Sequence, residues 1–353
     1  MDTLISPRRR TVLQALGAAA LVGGCGDWRS AALAPAAEFR GPTMGSTYTV
    51  KIAGTPPAAA VEAARQRAVH GALDAVEVAM STYRADSELS RLNAHAAPSP
   101  FALSADTYAV LALARQVSAA TGGAFDVTVA PAVDAWGFGP ERGQRVVAAA
   151  EIGALEPRIG WQMLALDDAA RTVTKSRPDL SADLSGIAKG YGVDQAARAL
   201  DALGVADYMV EAGGEVRTRG HNAEGRPWQI AIERPDAVPQ RPHFVVPLAG
   251  QSLATSGDYR IYFERDGQRY CHEIDPGTGA PIRNGLASVS VVAADCGYAD
   301  AMATALIVLG VERGLALAEA RGVAAYFILR EADGRLGERQ TSAFAALGGR
   351  PVA

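Results

Sequence analysis

The stretch ASVSVVAADCGYADAMATALIVLG, residues 287–310, carries two different hydrophobic periods on either side of one short turn. Residues 287–293, small and β-branched, read as a strand. From Asp295 onward the apolar positions follow a helical spacing, with Asp295 placed to cap the helix and Gly310 to stop it over 295–309. Working outward, residues 58–80 repeat the helical period with Val61, Ala64, Ala68, Leu73, Val76 and Met80. Residues 104–120 do so behind a capping Ser104, and 187–203 form a further helical pattern. Strand-like runs lie at 46–52, 227–233, 243–248, 259–264 and 324–330, separated by Gly, Pro and Asp turns. Strands joined by hairpin-length turns and interrupted by single helices predict an α+β fold with mainly antiparallel sheets, rather than a doubly wound parallel sheet.

The beginning of the chain follows other rules. Residues 1–25 read as an export signal: Arg8, Arg9 and Arg10 precede an apolar stretch from Val12 to Val22, well short of the ~20 residues of a membrane helix. The stretch closes on LVGGC, the pattern in which Cys25 becomes the acylated N-terminus of a lipoprotein, and RRRTVLQ is compatible with either twin-arginine or general export. An alanine-rich tether is expected over 26–40, followed by one large domain over 41–353. A net charge of −4 with scattered basic residues argues against a nucleic-acid partner. Only Cys271 and Cys296 remain besides Cys25, which excludes a disulfide scaffold and a thiolate zinc site and leaves the pairing of those two open.

Four constellations carry chemistry. In DLSGIAKGYGVD (183–194) a strand-like run ending at Asp183 gives way to a small-residue turn and a helix start, so that backbone N–H groups converge on one spot suited to an anion. Lys189 lies one turn into that helix, and Gly186 has no side chain to shield its carbonyl from an ion. In GYADAMATAL (297–306) Asp300 and Thr304 are four apart and share a helix face, half an oxygen shell for a hard cation such as magnesium. In TSGDYRIYF and YCHEIDPGTGAPI, Thr255, Ser256 and Gly257 read as a hydroxyl-bearing turn able to bind phosphate. His272, on a following strand, is a candidate general base. Each pattern alone also fits an ordinary structural connection.

The fourth group, PTMGSTY (42–48), MSTYRADSELSRLN (80–93) and TGGAFDVTVAPAVDAWGFG (121–139), offers Met44, Tyr83 and Phe125 as surfaces for a planar ring or as core packing. Asp86, Ser87, Glu88 and Ser90 read as caps for the next helix.

Taken in order, PTMGSTY, MSTYRADSELSRLN, TGGAFDVTVAP, DLSGIAKGYGVD, VEAGGEV, ATSGDY, HEIDPGTGAPI and DAMATAL resemble, piece by piece, the ApbE family of flavin transferases over about residues 41–310. The resemblance implies an α+β fold with an FAD cleft between two lobes, a magnesium ion, and transfer of FMN from FAD to a threonine or serine of an acceptor protein, with AMP released. Acceptors would include subunits of membrane redox complexes, on the periplasmic side of a bacterial membrane. It further implies FAD contacts from Met44, Tyr83, the segment Ala124, Phe125 and Asp126, then Asp183, Lys189 and Ile274. The ion would be held by the main-chain oxygen of Gly186, by Asp300 and Thr304, and by the main chain of Ala303, with His272 as the base. A tyrosine at position 83 is the transferase pattern. The alternatives are an FAD diphosphatase and a periplasmic flavin-binding lipoprotein without turnover.

Overall fold

The structure is a computed structural model that describes residues 35–96, 98–140, 143–331 and 333–352. The export signal and Cys25 lie outside the described residues. Strands β1 (Ala37–Thr43) and β2 (Ser46–Ile52) form a hairpin, followed by α1 (Ala59–Met80), α2 (Glu88–Ala94), β3 (Phe101–Ala102) and α3 (Ala105–Thr121). Short helices α4 (Ala130–Ala135) and α5 (Ala149–Leu155) precede β4 (Leu164–Asp167), β5 (Thr172–Lys175) and α6 (Ala188–Ala202). Then come β6 (Tyr208–Ala212), β7 (Glu215–Arg219), β8 (Trp228–Glu233), β9 (Pro242–Leu248), β10 (Ser252–Gly257), β11 (Tyr262–Arg265) and β12 (Gln268–Cys271). The chain continues through β13 (Ile274–Asp275), β14 (Ala280–Pro281), β15 (Leu286–Ala293), α7 (Cys296–Ala320), β16 (Ala324–Arg330), β17 (Leu336–Gln340), α8 (Ser342–Ala345) and β18 (Arg350–Pro351).

Eight strands make the central sheet in the order β1-β2-β6-β7-β10-β15-β16-β17, every neighbouring pair antiparallel. Smaller antiparallel sheets flank it, β18-β9-β8 and β3-β5-β4, with the hairpins β11-β12 and β13-β14. The α+β expectation therefore holds.

Strand β15 sits inside the sheet with almost every residue buried, because both of its faces are covered. Val289 and Val291 pack with Met302, Leu306 and Ile307 of α7, while Val292 packs with Trp228, Ile230 and Phe244 of the β8-β9 sheet. At the other end, α1 and α6 cover β1, β2 and β6 through Val69, Leu73, Val193, Ala197 and Leu200. A separate small core, built on Trp136, Leu155, Tyr270 and Ile274, belongs to α4, α5 and the hairpins β11-β12 and β13-β14.

Several boundaries differ from the sequence expectation. Residues 37–40 are not tether but the first half of β1, with Phe39 opposite Val50, since their buried alternate positions complete the core under α1. The helix that starts at Cys296 does break at Gly310, but a second helical run follows it. Gly310 leaves helical geometry (φ 78°, ψ 171°) and the helix resumes to Ala320, while Asn284 donates to the carbonyl of Ile307 just before the break. Thr255, Ser256 and Gly257 lie on strand β10, paired with β15, not in a turn. No strand ends at Asp183, and His272 stands one residue beyond β12. Cys271 and Cys296 are both buried free thiols.

Candidate active site

The segment before α6 is pinned by buried Leu184 and Ile187. Asp183 turns its carboxylate onto the N–H of Ser185 (2.8 Å) and its own N–H onto the carbonyl of Val127 (2.7 Å), which seats the turn beside the 124–127 segment. The N-cap of α6, Ile187, has no side-chain acceptor, so the orphan N–H groups of the first turn need partners from elsewhere. One of them, Gly190, donates to Asp300 on α7 at 2.9 Å. This close approach requires glycine: a Cβ at position 190 would lie 2.4 Å from the carbonyl oxygen of Cys296. The expected anion cradle at this helix start is thus partly filled by a carboxylate of the protein itself.

Lys189, the neighbouring residue, donates to Glu215 at 2.6 Å. Glu215 opens β7 just after the Gly213–Gly214 turn and is 1% exposed, and its second oxygen is buried without a hydrogen-bond partner. Asp300 and Glu273 are also buried. Burial lowers the Lys189 ammonium, but the charges of Glu215 and Asp300 outweigh that and hold it above the usual lysine range. Burial pushes Glu215 up to about 7 and Glu273 up to about 8, against the pull of Lys189, and it raises Asp300 as well. With all four groups ionised, three carboxylates and one ammonium leave two negative charges in a buried place.

The hydroxyl side of the site is built by α7 and β10. Thr304, one turn beyond Asp300, shares a hydrogen bond with Ser256 at 3.0 Å. A Cβ on Gly186 would stand 3.1 Å from the Thr304 Oγ1 and 3.3 Å from the Phe125 ring, so both side chains border Gly186. Ala303 is fully buried on the same helix. Among the described residues no group of three His, Cys, Asp or Glu side chains forms a metal cage. A carboxylate and a hydroxyl on one helix face, with further buried carboxylates and an unpartnered carboxylate oxygen close by, instead fit a hard divalent cation that shares its shell with a ligand's oxygens.

His272 faces this cluster from the smaller core. Its backbone N–H donates to the carbonyl of Ile261, its Nδ1 is buried without a partner, and its Nε2 lies 3.7 Å from Glu273. Burial, aided by the Lys189 charge, pushes the ring down to about 4, so the imidazole is neutral at neutral pH. A third of the side chain remains open, which leaves a route to its basic nitrogen.

The other expected residues divide. Met44 holds a positive φ of 44° in the β1-β2 turn, its N–H donates to Glu77 at 2.8 Å, and its methyl group approaches Gly192 on α6. A methionine held in that sparsely populated region at the site's edge carries backbone strain. Phe125 and Ala124 are buried next to Asp126, whose carboxylate is turned inward onto Thr128 and the N–H of Trp161, so that side chain serves the fold. Ile274 is buried in the smaller core beside Glu273. Tyr83 stands apart, 59% exposed, with its hydroxyl donating to the carbonyl of Phe138 at 3.2 Å. The structure therefore gathers Phe125, Asp183, Gly186, Lys189, His272, Asp300 and Thr304, places Met44 against Gly192 on the same helix as Lys189, and sets Tyr83 apart.

Three residues were missed. Glu215 and Glu273 lie inside quoted motifs, yet an acid near a turn reads as solvated, and only the packing shows them buried. Asp194 closes the quoted motif DLSGIAKGYGVD, where nothing in its spacing marks it. Asp295 occupies the N-cap position of α7 but makes no side-chain cap; Asp194 instead accepts the N–H groups of Cys296 and Gly297, each at 3.0 Å.

Comparison with known proteins shows which family the chain and its fold resemble. The model of the ApbE family matches residues 44–327. The chain is 43% identical to the FAD:protein FMN transferase of Vibrio cholerae over 326 residues, covering 92% of this chain and 95% of that protein. It is equally similar to the protein of that name from Haemophilus influenzae, 43% identical over 315 residues and covering 88% and 91% of the two. Among solved structures, the flavin transferase ApbE from Vibrio cholerae superposes with a TM-score of 0.80 at 43% identity, covering 88% of this chain and 98% of that one. The apo flavinyl transferase ApbE of Pseudomonas stutzeri gives 0.79 at 44% identity, covering 88% and 96%.

Proposed function

The chain belongs to the ApbE family, and on that premise we propose that it is a magnesium-dependent FAD:protein FMN transferase, moving FMN from FAD to a threonine or serine hydroxyl of an acceptor protein. One observation carries the reading beyond kinship. Three buried carboxylates gathered around one ammonium, Glu215, Glu273 and Asp300 with Lys189, adjoin the Gly186 turn and a neutral imidazole.

FAD is a diphosphate, so phosphoester formation needs attack on the flavin-side phosphorus with AMP as the leaving group. Asp300, Thr304 and the main chain of Gly186 and Ala303 would hold magnesium, which neutralises charge growing on the diphosphate. Lys189, fixed by Glu215, presents a permanent cation to the same oxygens. Met44, Phe125 and Ile274 give apolar surface to the flavin or adenine ring, with Ala124, Asp126, Asp183 and Tyr83 along the same path. The acceptor oxygen forms the new bond to phosphorus as the bond to the AMP phosphate breaks. His272 takes the hydroxyl proton on its neutral nitrogen, a role worth typically ~10²–10⁴-fold.

The test is incubation of the purified protein with FAD and Mg2+, with and without a candidate acceptor, followed by mass spectrometry of the acceptor and measurement of AMP. Added FMN on a threonine or serine, with AMP formed only when acceptor is present, supports transfer. Rapid AMP release without acceptor replaces this reading with FAD diphosphatase activity. Intact bound FAD with no turnover on any acceptor would leave a flavin-binding protein.

The same reading extends to location. Cys25 is taken as the acylated residue that anchors the domain on the periplasmic side of a bacterial membrane. Retention of a Cys25→Ala protein in the membrane fraction, with its mass showing no lipid loss, would overturn the anchor.

A further inference from the structure

The Lys189 ammonium has a choice of carboxylates, and the choice matters. Its chain neighbour Gly190 holds Asp300 by a 2.9 Å hydrogen bond, so Lys189 and Asp300 start from adjacent places. Yet the described residues show no ion pair between them, and Lys189 reaches Glu215 at 2.6 Å instead. Glu215 is fixed for that task. It is 1% exposed at the start of β7, and the backbone of Gly213 covers the pair: a Cβ there would stand 3.5 Å from both the Glu215 Oε2 and the Lys189 Cδ. We infer that Glu215 is a positioning residue that diverts Lys189 from Asp300, and so keeps the Asp300 carboxylate open to a divalent cation.

The physical argument is competition for one ligand. An ammonium beside buried carboxylates pairs with the nearest acceptor of opposite charge, and here the acceptors, not the ammonium, are the fully buried partners. Without the Glu215 charge, Asp300 is the carboxylate that acts most strongly on Lys189, ahead of Glu273, and pairing there would place a fixed cation where a metal must bind. Glu215 thus acts on the ion through Lys189, without touching it, as groups behind a metal's direct ligands commonly do. The inference rests on the reading of Asp300 as a cation ligand.

The test is Mn2+ binding to the purified protein, without FAD and with FAD bound, followed by electron paramagnetic resonance, for wild type, E215Q and the double variant K189M/E215Q. Removal of the Glu215 charge is expected to weaken Mn2+ binding by roughly 10–100-fold. The double variant, which also removes the competing ammonium, is expected to recover most of that loss. Wild-type affinity in E215Q overturns the inference, and so does a double variant as weak as E215Q, because Glu215 would then act on the ion or the fold without Lys189. A wild-type protein that takes up Mn2+ neither alone nor with FAD bound overturns the cation-site reading itself, and the inference with it.

Discussion

The Asp194 carboxylate on α6 accepts the backbone N–H of Gly297 on α7 at 3.0 Å, and three residues further along α7 Asp300 returns the favour by accepting the N–H of Gly190 on α6 at 2.9 Å. Each helix therefore supplies the N-terminal cap of the other. Arg217 pairs with Asp194 and holds its carboxylate in place. The arrangement satisfies orphan N–H groups of both helices and, in doing so, sets the position of the face that carries Asp300 and Thr304.

From this follows the outcome of Asp194→Ala. Losing a cap bonded to two N–H groups and an arginine is expected to cost about 1–3 kcal/mol in stability, read by urea unfolding. Mn2+ affinity should fall as well, because the α7 start is no longer held against α6. A variant with unchanged unfolding midpoint would show that the mutual caps carry no weight.

Asp300→Asn separates structure from chemistry at the partner residue. The asparagine carbonyl still accepts from Gly190, so the fold is expected to persist. Burial raises Asp300 above the usual carboxylate range, meaning that its charge is poorly solvated in the metal-free protein. The asparagine variant should therefore be at least as stable as wild type without metal at pH 8, while binding of Mn2+ and FMN transfer are lost. Thermal unfolding in EDTA together with a metal titration checks both halves, and retained Mn2+ binding would remove Asp300 from the ligand set.

The sequence made most of the architecture and part of the site legible, for reasons visible in particular residues. Helix periods around Val110 and Leu111, or Val193 and Leu200, are one-dimensional signals and located their elements to within a residue or two. Asp300 and Thr304 were legible because four-residue spacing on a helix fixes their common face. Glu215 was not, since its burial comes from β6, α6 and the Gly213–Gly214 turn closing over it, a relation between distant segments. Asp194 escaped for a related reason: a cap supplied from another helix leaves no local spacing to find. The Thr255–Gly257 segment was misread as a turn because small hydroxyl residues have turn character, whereas pairing with β15 overrides that preference.

His272→Ala addresses the proton. Its side chain makes no hydrogen bond to the Lys189 and Asp300 cluster, only an approach of 3.7 Å to Glu273, so FAD affinity is expected to stay near wild type. The rate of transfer should fall by ~10²–10⁴-fold at saturating FAD and acceptor. Equilibrium binding followed by flavin fluorescence, with single-turnover transfer on the same preparations, measures the two quantities. Transfer at the wild-type rate would exclude the residue as the base.

The pH dependence of metal-free stability gives the most direct reading of the buried charges. Glu273 is pushed up to about 8 and Glu215 to about 7, against an ordinary value of 4.5, so between these limits the folded protein holds protons that the unfolded chain has released. Stability from these groups is complete below 4.5 and is lost as pH rises through the folded values. His272 works in the opposite sense, lowered to about 4 from 6.5, and its contribution is lost only as pH falls below 6.5. Between pH 6.5 and 8 the carboxylates therefore govern this cluster, and the unfolding temperature in EDTA should decline across that window. A divalent cation held beside these carboxylates favours their ionised form, so the stabilisation by Mg2+ should grow from pH 6.5 to pH 8 as fewer protons must be released. In Glu273→Gln the metal-free decline should flatten, since one of the two titrating carboxylates is gone. Scanning calorimetry of both proteins with and without Mg2+ decides it: identical slopes in EDTA would mean that Glu273 is already ionised in the folded state and that the buried cluster carries less strain than its burial implies.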